Sequence, residues 1–330
     1  MGTRVTAQDV ARRAGVSRAT VSFVLNDAPG QSISDATRDS VRTAARELGY
    51  VPSAAAQILR SGSSRLVLCL EPDWEPSVLM DRAIATLSSE FEGRGYAMVV
   101  SRTGAAPSAP NVLVRSVSPC AVVAMYDLPK SVRTSLQSLL VPVEEAWFHS
   151  SGGQRAADDF QGLAGSLQVE HLIARGAQRI VVVAPRTVRE SEVRDDRIRG
   201  VVRAAVAAGR NEPDVVLVDS LDADGLRPIR DALRAGAGPV GVCAFNDLHG
   251  AAVLLAARDL GLHAPREVLV IGVDDDQLAL LTRPQLSTVR FDVKAHMRAL
   301  AARVVARAEG RDGTGDVLEA PVRVVQREST

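Results

Sequence analysis

The sequence predicts an all-α three-helix head, joined through a short hinge helix to a two-lobe α/β core with parallel sheets. Three observations carry this. The stretch from Val5 to Asn26, VTAQDVARRAGVSRATVSFVLN, shows two short helical patterns on either side of Ala14-Gly15-Val16. A third helical pattern follows and ends at Tyr50-Val51-Pro52. From Arg65 onward, short apolar strands alternate with helices, the pattern of parallel sheets covered by helices.

The first helix begins near Ala7, because Thr6 and Asp9 form a capping-box pattern with Asp in place of Glu. Val10, Ala11 and Ala14 share one face, and Gly15 is the stop, since glycine enters a left-handed turn without steric penalty. Ser17 caps the second helix. In that helix Val21, Val24 and Leu25 project to one side, and Arg18, Ala19, Ser22 and Phe23 to the other. A short helix with one buried side and one compact polar face suits a DNA major groove. After the Pro/Gly loop NDAPGQSI, Ser34 caps a third helix whose apolar residues are Val41, Ala44, Ala45 and Leu48. Arg38 and Arg42 lie on its outer side, where phosphate contact and plain solvation are both compatible with the pattern.

Ser53 can cap a short helix from Ala54 to Arg60, broken by Ser61-Gly62-Ser63-Ser64. Isolated helices below about 12 residues are marginal in water, so this one forms only when something holds it. Strands are expected at Leu66–Leu70, Ala97–Val100, Ala121–Met125, Val143–Phe148, Ile180–Ala184, Val215–Val218, Val240–Ala244 and Val268–Val273. Helices are expected near 78–94, 130–140, 162–175, 192–208, 224–235 and 247–259. So many strands exceed one compact sheet, which argues for two lobes. Asn246-Asp247 follows a strand and opens a helix, and Asp274-Asp275 follows the next strand. Both pairs stand at carboxyl ends of strands, where open α/β sheets bind ligands.

Composition narrows the class. The 330 residues include 46% apolar types, enough for sizeable cores, and formal net charge is zero. No run of about 18 apolar residues exists, which argues against a membrane helix. The N-terminus is polar and begins directly with a helix pattern, unlike a signal peptide. Cys69, Cys120 and Cys243 are odd in number and widely spaced, which points to a reducing cytoplasm and to neither a disulfide framework nor a metal site. No cofactor motif stands out. Residues 1–60 hold eight arginines against five acids, a modest excess that suits phosphate contact. Lysine occurs only at 130 and 294, an arginine bias of the kind a GC-rich genome produces.

The stretch 5–26 resembles the N-terminus of the lac-repressor family of bacterial transcription regulators. The likeness continues through Ser34-Asp35-Ala36-Thr37-Arg38, Ala44-Ala45-Arg46-Glu47-Leu48-Gly49-Tyr50, Pro52 and Leu59-Arg60-Ser61-Gly62. It is sharp again over 241–293 and covers essentially the whole chain. The resemblance implies a homodimer on a pseudo-palindromic DNA operator, with a small-molecule effector, a sugar or related polar metabolite, between two lobes similar to those of periplasmic sugar-binding proteins. It implies a head at 1–51, a hinge at 52–64 and a core at 65–330. Within the core, lobe 1 covers about 65–159 and 292–318, and lobe 2 about 160–289 and 320–330, with crossings near 158–161, 288–292 and 318–321. In this reading Arg18, Ala19, Ser22 and Phe23 face bases, Thr6, Ser17, Thr20, Asn26 and Arg38 orient the head on phosphates, and Ala56 and Leu59 of paired hinge helices enter the minor groove. Trp74, Glu75, Asp159, Arg194, Arg197, Asn246 and Asp274 are the implied effector contacts. The absence of a heptad tail before Thr330 favours a dimer over a tail-built tetramer.

The chain departs from the family pattern at several points. The loop after Asn26 is about two residues longer. Phe23 stands where the family usually has Arg, so guanine preference should weaken at one half-site position, with a thymine methyl as one apolar contact. In the first lobe Glu75 and Ser77 replace an Asn and an aromatic, and Trp74 is a substitute flat surface. Asp195 occupies a position often held by Arg, flanked by Arg194 and Arg197, and Asp158-Asp159 lies about two residues further than usual from Glu170-His171. These departures argue against an ordinary hexose. Two other classes compete. An α/β enzyme acting on a sugar or nucleoside would use His149, His171, His249 or Cys243, yet none has the context of a nucleophile with its base, and no phosphate-cradling glycine loop appears. A regulator answering to a protein partner, or to no effector, is the other.

Overall fold

The computed structural model describes residues 5–25, 32–50, 64–73, 77–103, 109–126, 128–145, 160–187, 191–236, 238–312 and 322–330. The chain divides into two compact units, residues 1–64 and 65–330.

The first unit is built on α1 (Ala7–Ala14), α2 (Arg18–Leu25) and α3 (Asp35–Glu47). The capping box forms: the Thr6 amide donates to Asp9 Oδ2 at 2.9 Å and the Asp9 amide to Thr6 Oγ1 at 3.4 Å. Gly15 takes a left-handed φ of 68° and ends α1. Ser17 Oγ accepts the Thr20 amide at 3.0 Å, and Ser34 Oγ the Thr37 amide at 3.3 Å, so both expected caps are made. Val10, Ala11, Val21, Val24, Val41, Ala44 and Ala45 form the buried cluster. Arg13 and Glu47 tie α1 to α3 at 2.7 Å, but both are exposed, so the pair contributes little. The hinge helix expected at 54–60 lies outside the described residues.

The second unit holds two sheets. One comprises β1 (Leu66–Pro72), β2 (Ala97–Thr103), β3 (Ala121–Ala124) and β4 (Val143–Glu145) in the order β2-β1-β3-β4, all parallel. The other comprises β5 (Arg179–Pro185), β6 (Asp214–Val218), β7 (Val240–Ala244), β8 (Val268–Val273), β9 (Ser287–Phe291) and β10 (Val322–Val325) in the order β10-β9-β8-β7-β5-β6. Only β10 runs antiparallel to its neighbour. α4 (Val78–Glu92), α5 (Ala109–Val117), α6 (Lys130–Gln137) and α12 (Val293–Ala308) accompany the first sheet. α7 (Phe160–Ala174), α8 (Ser191–Ala207), α9 (Leu226–Arg234), α10 (Asp247–Asp259) and the short α11 (Leu278–Leu281) accompany the second. The inner strands β3, β7 and β8 are buried at every residue, as parallel strands covered on both faces must be.

Three differences from the expected elements stand out. A strand that was not expected, β9, occupies Ser287–Phe291, its Thr288 and Val289 pairing with Gly272 and Val273, and the chain passes from it into α12 beside the first sheet at the place where a crossing near 288–292 was expected. Helix α5 was not expected, because its segment opens on Pro110 and is rich in valine, a weak helix former held here by packing of Val114 into the first sheet's outer core. Of the strand expected at Val143–Phe148, the described part ends at Glu145.

Candidate functional site

In the head, Val21 and Val24 are 1% exposed and turn inward, which fixes the outward face of α2 by helical period. That face carries Arg18 and Ala19, both exposed, half-buried Ser22, and Phe23 at 36% exposure. Phe23 therefore does not pack into the head. The Ser17 and Thr20 hydroxyls lie 2.9 Å apart at the N-terminus of α2, where backbone amides and the helix dipole favour an anion. Thr6 is exposed at the N-terminus of α1, and Arg38 is half-buried on α3. Asn26, Ala56 and Leu59 lie outside the described residues.

In the second unit a cavity of about 600 Å³ opens between the two sheets. Ser77, Leu79 and Met80 line it from the start of α4, and the rest of the wall comes from the second sheet and its helices. Arg197 on α8 is its buried cation, 5% exposed. It donates from Nε to Gln161 Oε1 at 3.1 Å, from Nη2 to the same oxygen, and from Nη1 to the Phe245 carbonyl. Its guanidinium carbon stands 4.7 Å over the Phe245 ring, a cation–π contact away from bulk water. Asn246 caps α10, its Oδ1 accepting the His249 amide at 3.0 Å and the His249 Nδ1–H at 2.6 Å. Burial, helped by nearby Arg197, pulls His249 down from the usual 6.5 to about 4, so the imidazole is neutral.

Asp274 lines the cavity from the end of β8 at a left-handed φ of 101°, rare for a residue with a side chain. Its own amide, donating to the Val289 carbonyl at 2.9 Å, and two donations from Arg82 hold this backbone. Burial pushes the Asp274 carboxyl upward, and Arg197 and Arg82 pull against it. Beneath this loop Asp247 is 1% exposed. The Thr288 hydroxyl donates to its Oδ1 at 2.6 Å and the Asp276 amide to its Oδ2 at 2.7 Å. Burial raises Asp247 to about 8 despite those bonds.

The structure thus brings Arg197, Asn246 and Asp274 together at one cavity. Arg194 does not join them: its Nη1 donates to the Pro185 carbonyl at 3.2 Å, and its Nε to Asp195 at 2.8 Å. Asp195 is exposed, so its expected departure from the family pattern leaves the cavity untouched. The physical reason is the turn of α8. Val193, Arg197 and Val201 are one turn apart and buried, and Asp195 falls on the opposite face. Trp74, Glu75 and Asp159 lie outside the described residues. Sequence reasoning missed Gln161, the partner that orients Arg197, and the aliphatic wall of Leu79, Met80, Val193 and Leu248. A glutamine set among apolar and small residues, between Phe160 and Gly162, was the one available signal for Gln161. Cys243 is buried with its thiol pushed upward by desolvation, and His171 meets Thr330 Oγ1 at 2.8 Å, away from the cavity lining.

Comparison with known proteins matches both units. Residues 6–53 fit the model of bacterial regulatory proteins of the lacI family, and residues 169–330 fit that of the periplasmic binding protein-like domain. The transcriptional regulator GntR of Pseudomonas aeruginosa is 27% identical over 335 residues, covering 99% of this chain and 96% of its own. The transcriptional repressor PurR of Vibrio atlanticus is 26% identical, covering 98% and 97%. Among solved structures, the lac repressor dimer bound to operator and the anti-inducer ONPF superposes with a TM-score of 0.80 at 24% identity over 99% of each chain. A head with an outward-facing second helix and a two-sheet core with a cleft occur here in one chain, in the order of these relatives and over their full length. The chain belongs to the lac-repressor family of bacterial transcription regulators.

Proposed function

We propose that the protein is a homodimeric repressor that binds a pseudo-palindromic operator and responds to a small polar metabolite in the cleft between its lobes. The observation that carries this is the division of α2 into an inward face, Val21 and Val24, and an outward face, Arg18, Ala19, Ser22 and Phe23. The head, residues 1–51, places that face in a major groove, with Thr6, Ser17, Thr20, Asn26 and Arg38 on phosphates. The segment 52–64 acts as the hinge, with Ala56 and Leu59 in the minor groove. The core, 65–330, comprises a first lobe at about 65–159 and 292–318 and a second at about 160–289 and 320–330. Exposed Leu255, Leu280 and Leu281 on α10 and α11 supply apolar surface for a second copy.

Arg197, Asn246 and Asp274 hold the effector's polar groups, and Leu79, Met80 and Leu248 cover its less polar side. Trp74, Glu75 and Asp159 are further contacts from the sequence. The effector changes lobe closure, and hence the separation of the hinges, by its differential affinity for two lobe arrangements, typically about 1–3 kcal/mol of coupling. Catalysis is not part of this reading: His249 is tied to Asn246, and Cys243 is buried with a raised pKa. No helix among the described residues is long and apolar enough to cross a membrane, and the three free cysteines suit the cytoplasm.

The test is affinity for palindromic duplexes across a salt series. Selective binding to one sequence, with an affinity that falls as salt rises, is the expected result. Equal and weak binding to all duplexes overturns the reading.

A further inference from the structure

We infer that Phe23 reads the 5-methyl group of a pyrimidine in the operator half-site, so that 5-methylcytosine can stand in for thymine at that position. The inference rests on the DNA-reading role proposed for α2 and adds the chemical group that one side chain recognises. Phe23 is 36% exposed, whereas the other described phenylalanines, Phe91, Phe160, Phe245 and Phe291, are at most 8% exposed. The head's buried cluster closes without it, around Val10, Val21, Val24 and Val41. Its ring is therefore not a member of the head's buried cluster. Ala19 lies one turn earlier on the same outward face, also exposed, so methyl and ring form a small apolar patch beside Arg18.

A lone exposed apolar side chain elsewhere on the surface would need no explanation. On the outward face of a groove-reading helix, its chemistry selects a partner. Major-groove base edges present hydrogen-bond donors and acceptors, and thymine adds an apolar group, its 5-methyl. A phenyl ring opposite the guanine acceptors, or opposite an amino group, would strip water from them and return no hydrogen bond. Opposite a methyl it buries apolar surface on both sides. A methyl on C5 of cytosine occupies the corresponding place in the groove, so the patch would accept it as it accepts thymine.

The experiment uses the full chain. Duplexes with randomised palindromic half-sites are enriched for binding. Each thymine of the enriched site is then replaced singly by uracil, and one cytosine duplex is compared with its 5-methylcytosine counterpart at the sensitive position. One thymine per half-site should lose about three- to fivefold in affinity on conversion to uracil, the effect of one methyl-sized group. That loss should vanish in Phe23→Ala, and methylation of cytosine at the same position should tighten binding by a similar factor. An enriched site in which every thymine tolerates uracil, or a uracil loss that persists in Phe23→Ala, overturns the methyl contact alone. Failure to enrich any sequence overturns the DNA-reading role itself.

Discussion

Arg82, on the helix that opens the first lobe, clamps the backbone around Asp274 in the second: its Nη1 donates to the Asp274 carbonyl and its Nη2 to the Asp275 carbonyl, each at 2.9 Å. One planar guanidinium spans the two lobes and holds the left-handed backbone that aims Asp274 at the cavity. Arg82→Met keeps most of the aliphatic stem and removes both charge-assisted bonds. The expected loss is about 2 kcal/mol in the urea unfolding of the core. Any effector identified by thermal shift should also bind Arg82→Met more weakly, because Asp274 loses its support.

Arg197→Met tests the buried cation. It leaves Gln161 Oε1 and the Phe245 carbonyl without their donor in a desolvated wall, at a penalty of about 2–4 kcal/mol in core stability. Effector binding should be lost while operator affinity in its absence changes little, measured by fluorescence anisotropy of labelled duplex.

Asp247 gives the core a pH dependence of defined sign. Its folded value, about 8, lies above the usual 3.8, so the folded state holds more protons through that interval and stability falls as pH rises. His249, moved from 6.5 down to about 4, acts oppositely below its usual value and offsets most of the trend there. Between pH 6.5 and 8 the Asp247 effect stands alone of the two. Thermal midpoints should decline over that window in the wild type and stay flatter in Asp247→Asn, whose amide oxygen can accept from the Asp276 amide while its NH2 faces Thr288 Oγ1 once that hydroxyl turns its own proton away. An unchanged slope would contradict the assignment.

Gly200 marks the closest approach of the two helices beneath the cavity. A Cβ there would lie 2.0 Å from the Gly162 carbonyl oxygen, and one on Gly165 would lie 2.3 Å from the Arg197 carbonyl oxygen. Gly200→Ala should force the helices apart and destabilise the core by about 3 kcal/mol. Because Arg197 rides on the displaced helix, effector binding should fall with it, and calorimetry reads both changes.

In the head, Arg18→Ala should relax base preference at one half-site position by about 1–3 kcal/mol, whereas Arg38→Ala should weaken all duplexes about equally and reduce the salt slope by about 1. Competition binding on single-base variants separates the two patterns.

Thr6→Ala removes the capping box at the start of the head and should cost about 1 kcal/mol, seen as faster amide exchange in the first helix. Thr6→Ser should retain most of that protection.

The head was legible because its signals are local. The Thr6–Asp9 pair, Gly15, Ser17 and Ser34 act within one turn of themselves, and the inward valines follow from the period of a helix. Strands β5, β7 and β8 were equally plain, since strands buried on both faces read as short apolar runs. Ser287–Phe291 was not, because its first residues are polar, and they are buried only by what folds against them: Ser287 and Thr288 are 0% exposed and are paired with Thr330 and Asp247.

The sequence by itself determined the three helices of the head, most of the strand–helix alternation of the core, the outward face of the second helix and the family. Tertiary structure alone decided which polar residues share the cavity. Arg194 and Arg197 differ by less than one turn of helix and are the same residue type, yet one caps strand-end carbonyls and the other is buried against Phe245. Gln161, Arg197, Asn246 and Asp274 are far apart in the chain and meet because parallel strands deliver their carboxyl ends to one edge. Local periodicity specifies which way a side chain points from its own element. The partner it meets there depends on how the sheets and helices pack, which short-range sequence patterns do not encode.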